Sequence, residues 1–249
     1  MDREQGFVLN ELDGMTGFIK NEDGTVQTLE KFRCRPHANP LSDQGFAYPY
    51  KPSDFDTRRF FNGSTDLVTV ADVGCGYGGL LPHLSTHRFF ADKNCLGLEI
   101  RAVAVRIAQN DILKLREKGG YNNIAVARCN AMKHFTNYFR KEQLETMFFL
   151  FPDPQFKKTH QRRRIISPGL LDEYSYCLKK GGLIYIATDV PELFEWMVTC
   201  IDSRSDFERL GEDSEEATEM FPIILNRTAD ADRAERKGCS RQAAVFRKV

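Results

Sequence analysis

A chain of 249 residues, 41% hydrophobic and 28% charged, suits one sizeable globular core and leaves too little length for two full domains. Its 35 basic side chains balance 35 acidic ones, so bulk charge selects neither nucleic acid nor membrane, and no apolar run reaches the ~20 residues of a bilayer-spanning helix. The seven cysteines form no Cys-x-x-Cys pair, which argues against a zinc knuckle or disulfide framework; with no basic-then-apolar leader after Met1, the chain is expected to be soluble and intracellular.

Residues 1–30 carry Asp2, Glu4, Glu11, Asp13, Glu22, Asp23 and Glu30 against Arg3 and Lys20, and are expected to form a flexible acidic extension, with 31–249 a single domain. From residue 66 the pattern alternates strand and helix. Val68–Val73 reads as a strand, and Tyr77–Thr86 as a helix despite Pro82. Cys95–Glu99 is a second strand, followed by a helix over Arg101–Lys118, in which Val105, Ala108, Ile112 and Leu115 recur at helical spacing until Gly119-Gly120 stops it. Ile124–Arg128, Met147–Phe151 and Leu183–Thr188 are further strands. Ser167–Leu178 is a helix with Ser167 as N-cap and Pro168 in its first turn. A helix over Pro191–Ile201 precedes two expected antiparallel strands, Pro222–Leu225 and Ala243–Arg247. Repeated strand–helix units predict a largely parallel sheet covered on both faces.

Such a sheet binds ligands beyond the carboxyl ends of its strands, and those ends are polar: Glu99, Asn130, Pro152-Asp153-Pro154 and Asp189. The first strand ends in Asp72-Val73-Gly74-Cys75-Gly76-Tyr77-Gly78-Gly79, where alternate glycines let backbone turn tightly and approach a ligand. Glu99 lies 27 residues after Asp72, near the spacing at which an acid accepts ribose hydroxyls of either a dinucleotide or an adenosyl cofactor. An acid ahead of the glycines disfavours pyrophosphate and suits the cationic sulfonium of S-adenosylmethionine (SAM), so the loop leans to SAM while leaving a dinucleotide open.

After the fourth strand, two prolines hold the backbone on either side of Asp153. The segment Lys157-Lys158-Thr159-His160-Gln161-Arg162-Arg163-Arg164 then places five permanent cations in eight residues. Such a run is often only a solvated face, but beside a substrate loop it suits phosphate. Phe148, Phe149 and Phe151 read as core residues rather than base-stacking platforms. Cys75 lacks the partner base that a nucleophile needs.

Phe148-Phe149-Leu150-Phe151-Pro152-Asp153-Pro154-Gln155-Phe156-Lys157, with Arg33 to Pro40, Gly97 to Arg101, Asn130 to Lys133 and Arg164 to Pro168, closely resembles the eukaryotic tRNA (guanine-N7)-methyltransferase family from about Lys31 onward. The resemblance implies a Rossmann-like class I SAM-dependent methyltransferase with a mostly parallel seven-stranded sheet and no metal. It assigns SAM to Gly74, Glu99, Arg101, Asn130, Ala131 and Leu150, to which the loop reading adds Asp72 and Gly76. Asp153 matches the catalytic aspartate, while Lys157, Arg164, Asp189, Thr228 and Asp230 stand on the substrate side. Asp230 occupies a glutamate position of the family, Gln155 an aromatic or histidine one, and Arg163 a tryptophan or alanine one. The family's target is guanine 46 in the variable loop of tRNA, and it works in the nucleus with a non-catalytic WD-repeat subunit. Guanine N7 has a free lone pair, so methyl transfer to it requires no general base and Asp153 is expected to orient the base.

Overall fold

Val68–Val73 (β1) turns Val70 to one side of a sheet and Ala71 and Val73 to the other, all buried, as expected of a strand covered on both faces. The computed structural model of the chain describes residues 14–15, 38–42, 45–226 and 240–249. After a short helix Thr57–Phe60 (α1), the order is β1, Leu81–Thr86 (α2), Asn94–Glu99 (β2), Ala102–Glu117 (α3), Ile124–Arg128 (β3), Ala131–Tyr138 (α4) and Leu144–Leu150 (β4). A 3-10 turn over Lys158–Arg163 leads to Pro168–Cys177 (α5), Leu178–Thr188 (β5), Pro191–Asp202 (α6), Phe207–Arg209 (β6), Glu215–Asn226 (α7) and Gln242–Lys248 (β7).

These strands form one seven-stranded sheet in the order β3-β2-β1-β4-β5-β7-β6. The first five are parallel, while β7 runs antiparallel to both β5 and β6. On one face, Phe135 of α4, Tyr174 of α5 and Met197 of α6 pack against Met147, Phe149 and Ile186. On the other, Leu84 of α2, Ala108 of α3 and Met220 of α7 meet Val70, Phe148 and Tyr185. The stacked Phe148 and Tyr185 rings, 4.9 Å apart, carry that second layer across β4 and β5. Both Phe148 and Phe149 are thus core residues, as their sequence suggests. Strand order reverses between β1 and β4, which opens a crevice at their carboxyl ends.

Two expectations need correction, and a third, Ser167 as the N-cap of α5, holds by position. Pro222–Leu225 is not a strand but part of α7; its run of β-branched residues resembles a strand, yet Ala217, Met220 and Ile224 recur at helical spacing and bury one face. The helix expected over Tyr77–Thr86 begins only at Leu81, because the residues before it belong to the glycine turn. Ser167 occupies the N-cap of α5 without a side-chain capping bond, and its carbonyl instead accepts from Leu171 N at 2.9 Å. Of the 1–30 stretch, Gly14 and Met15 are described, with Met15 N donating to Arg59 O at 3.3 Å.

Candidate active site

The glycine turn after β1 takes its shape from backbone that ordinary side chains resist. Gly74, Gly76 and Gly78 adopt φ of 80°, 57° and 74°, in the left-handed region. The amides of Gly74 and Cys75 both donate to Leu98 O, at 2.8 and 3.1 Å, tying the turn to β2. A Cβ at Gly74 would meet nothing within 4 Å, leaving open space against the turn, whereas one at Gly97 would lie 2.7 Å from Cys75 Sγ. Burial, reinforced by the charges of Asp72 and Glu99, pushes the Cys75 thiol well above its ordinary pKa. It therefore stays protonated and packs rather than attacks.

Beside that turn, Glu99 is 4% exposed. Its Oε1 accepts from Arg101 N at 2.8 Å and Arg101 Nε at 3.1 Å, while Oε2 accepts from Gly76 N at 3.1 Å and an Arg101 terminal nitrogen at 3.0 Å. Four charge-assisted bonds hold the carboxylate in one orientation. Asn130 ends the third strand's loop as the N-cap of α4: its Oδ1 accepts from Met132 N at 3.2 Å, and its Nδ2 donates to Pro40 O at 2.7 Å. That second bond ties the 38–42 segment to the sheet's carboxyl edge, and Lys133 Nζ adds another to Ser42 O at 3.1 Å.

Across the switch point, the segment after β4 is shaped differently. Phe151 and Gln155 adopt φ of 48° and 50° without being glycine, bracketing Pro152-Asp153-Pro154. Each such conformation costs about 1–3 kcal/mol and persists only where surrounding contacts impose it. Phe151 N donates to Ala187 O at 2.7 Å, holding the start of the loop on β5. Arg164, 2% exposed, holds its end: Nε donates to Pro154 O at 3.0 Å, a terminal nitrogen pairs with Glu192 at 3.0 Å, and the guanidinium lies 4.9 Å from the centre of the Trp196 ring. Trp196 Nε1 in turn donates to Ile166 O at 2.8 Å.

Between these two shoulders lies a cleft of about 720 Å³, lined by Gly74, Gly76, Glu99, Arg101, Asn130, Ala131, Leu150, Asp153 and Asp189. The fold thus brings together nine of the residues singled out from the sequence. Asp72 does not line it; 3% exposed in β1, it lies behind the turn. Arg164 lies buried beneath the Pro152-Asp153-Pro154 loop, and Lys157 is exposed at the cap of the 3-10 turn, outside the lining. Thr228 and Asp230 lie outside the described residues.

Tyr77, Ile100, Met132, Phe156, Ile165 and Val190 line the cleft without having been singled out. All but Ile165 sit next to, or within a few positions of, a polar strand end, and that adjacency is the signal that could have found them; Ile165 reaches the cleft from the far side of the 3-10 turn. On the 3-10 turn, partial desolvation and then the charges of Arg163, Lys157 and Arg162 hold the His160 imidazole below its ordinary pKa. The positive character there comes from permanent cations. Among the described residues no group of three or more His, Cys, Asp or Glu could hold a metal ion, and no helix is long and apolar enough to cross a membrane.

A sequence model of the family described as "Putative methyltransferase" matches residues 66–247. Over 245 residues the chain is 42% identical to a tRNA (guanine-N(7)-)-methyltransferase of Brugia malayi, covering 94% of each. It is 40% identical over 253 residues to one of Oryza sativa subsp. indica, covering 95% of this chain and 97% of the relative. A third relative, from Aedes aegypti, is 43% identical over 221 residues, covering 88% and 89%. Among solved structures, the 16S rRNA methyltransferase KamB superposes with a TM-score of 0.50 at 16% identity, over 73% of this chain and 87% of that one. At that identity the likeness is one of fold.

Proposed function

Because the chain belongs to the tRNA (guanine-N(7)-)-methyltransferase family, we propose that it transfers the methyl group of S-adenosylmethionine to N7 of a guanine in tRNA, guanine 46 of the variable loop. The observation that carries this reading is the single cleft in which the glycine turn and Glu99 face Asp153, with a cationic 3-10 turn at its side.

The residues suit the donor. Open space against Gly74 accommodates a ligand close to backbone, and the buried Glu99 carboxylate suits a ribose diol. All four of its bonds come from two residues; a diol would replace the side-chain donors of Arg101 and leave the amides of Gly76 and Arg101 in place. Gly74, Gly76, Arg101, Asn130, Ala131 and Leu150 complete the donor's half of the site, with Asp72 behind them as a buried negative charge. When bound, the donor supplies an electrophilic methyl group on a sulfonium.

Asp153 and the loop around it do the rest. Guanine N7 carries its lone pair free, so no group has to remove a proton before transfer. Asp153 accepts from the N1–H and amino edge of the base, which orients N7 and favours the positive charge the ring acquires. Fixing that approach supplies up to ~7–11 kcal/mol of the barrier reduction in well-oriented systems. Asp189 faces the same base from the end of β5, Arg164 fixes the loop from beneath, and Lys157 meets phosphate at the mouth. Thr228 and Asp230 complete the substrate side in this reading, within one catalytic domain spanning 31–249. A net charge of zero with cations concentrated beside the cleft fits an RNA-binding enzyme that shares its tRNA surface with a WD-repeat subunit, in the nucleus.

The purified chain, incubated with labelled SAM and tRNA with and without a WD-repeat partner, tests this directly. Label at N7 of guanine 46 is the expected product. SAM binding with no transfer under either condition would reduce the chain to a scaffold, and label on another base would overturn the assignment of target.

A further inference from the structure

Arg163 enters the cleft from the end of the 3-10 turn, on the β4–β5 side. Its residue is half-buried, and its Nε is buried with no hydrogen-bond partner among the described residues. A buried donor left unmade costs about 1–3 kcal/mol, and more when it belongs to a charged group. The arginine beside it, Arg164, has its Nε satisfied by Pro154 O and a terminal nitrogen by Glu192. Two consecutive guanidinium groups therefore differ in kind: one is bonded within the protein, while the other belongs to a residue at the lining of the cleft and has its Nε unpaired among the described residues.

A guanidinium only donates, so its partner must be an acceptor. In a guanosine held as proposed above, the donor edge belongs to Asp153. The remaining acceptors are the N7–O6 edge and the flanking phosphates. A cation against N7 or O6 would occupy the reacting lone pair or oppose the positive charge forming on the ring. A phosphate has neither drawback, and its geometry matches the planar guanidinium fork. Lys157 and Arg162 are exposed at the same 3-10 turn, so an anionic strand entering here meets further positive charge.

We propose that Arg163 binds a phosphate flanking the target guanosine and thereby sets the depth to which the nucleotide enters the cleft. This rests on the tRNA reading. It would make Arg163 a substrate-contacting residue whose role separates from that of the buried Arg164.

Equilibrium binding of tRNA across a range of salt concentrations, for the full chain and for Arg163→Ala and Arg163→Lys, tests it. Arg163→Ala should weaken tRNA binding by about tenfold and lower the slope of log K against log salt by about 0.7–0.9, the signature of one lost phosphate contact. Affinity for S-adenosylhomocysteine should stay within about twofold. Arg163→Lys should restore the slope but only part of the affinity, since a point charge replaces the fork. A methylphosphonate at one of the two linkages flanking the guanosine should weaken binding to the unaltered chain and make no difference to Arg163→Ala. An unchanged salt slope with a lowered melting temperature would make Arg163 structural. A selective loss of S-adenosylhomocysteine affinity would assign its partner to the donor's carboxylate. Additive effects of methylphosphonate and Arg163→Ala would place Arg163 on another part of the RNA; each of these three results overturns the proposal. Failure of the unaltered chain to methylate a tRNA that it binds would strike the proposed function instead, leaving the phosphate contact standing.

Discussion

The two shoulders of the cleft are built on opposite terms. On the β1–β2 side the turn uses glycine wherever φ is positive, and Glu99 accepts four bonds from its own surroundings. On the β4–β5 side positive φ falls on Phe151 and Gln155, Phe156 stands 66% exposed, and a buried Arg163 nitrogen is unpaired among the described residues. The first shoulder is internally satisfied and needs little from its ligand to keep its shape. The second stores strain and reserves polar groups, which suits a surface completed by a large, charged substrate. A site assembled this way can bind one substrate by preformed contacts and spend the energy of binding the other on orientation.

The contrast breaks most sharply at Asp153. Replacing it with alanine should reduce methyl transfer by about two to three orders of magnitude, the range of losing a group that stabilises transition-state charge, while SAM affinity shifts only a few fold. Near-normal turnover in a single-turnover assay would remove Asp153 from its role.

Arg164→Ala should act on the same shoulder more mildly. Losing the bond to Pro154 O costs stability of about 1–3 kcal/mol, and the partner Glu192, 61% exposed, is left in water rather than buried. We expect kcat/KM for tRNA to fall roughly 10–100-fold, as misplaced catalytic groups do, with SAM affinity retained. Equal losses for both substrates would mean that the two shoulders are mechanically one.

The opposite shoulder is sharpened by Gly97→Ala. A Cβ there would crowd Cys75 Sγ at 2.7 Å and Leu81 Cδ1 at 3.0 Å, pushing on the glycine turn. Overpacking of this kind costs about 1–3 kcal/mol; calorimetry should show weaker SAM binding with tRNA affinity unchanged, and adding Cys75→Ala should recover part of the loss. If the double variant binds no better than the single one, the turn is not under the pressure described.

Much of this arrangement was legible locally. Strands buried on both faces announce themselves as apolar runs, and glycines at alternate positions can be read without tertiary information, so the sheet, the turn and the polar strand ends followed from pattern. What escaped depends on contacts distant in sequence. The helix Ala131–Tyr138 buries Phe135 and Tyr138, but it is too short to display more than two turns of periodicity. The strand Phe207–Arg209 is only three residues long and exists by pairing with β7. In the run Arg162-Arg163-Arg164, one composition conceals different fates: Arg162 is exposed, Arg163 half-buried and Arg164 buried. Only the position of Glu192 and Trp196 on α6 decides which arginine turns inward.

Trp196 is the chain's single tryptophan, and it sits against the Arg164 guanidinium that holds the Pro152-Asp153-Pro154 loop. Its indole emission therefore comes from one known place, with no second fluorophore of its kind to blur it. A cation leaving or tightening on an indole face alters that emission, so the molecule carries a built-in optical gauge of the loop's anchorage. Stopped-flow mixing with unlabelled tRNA or donor can separate rearrangement of the loop from methyl transfer without attaching a dye.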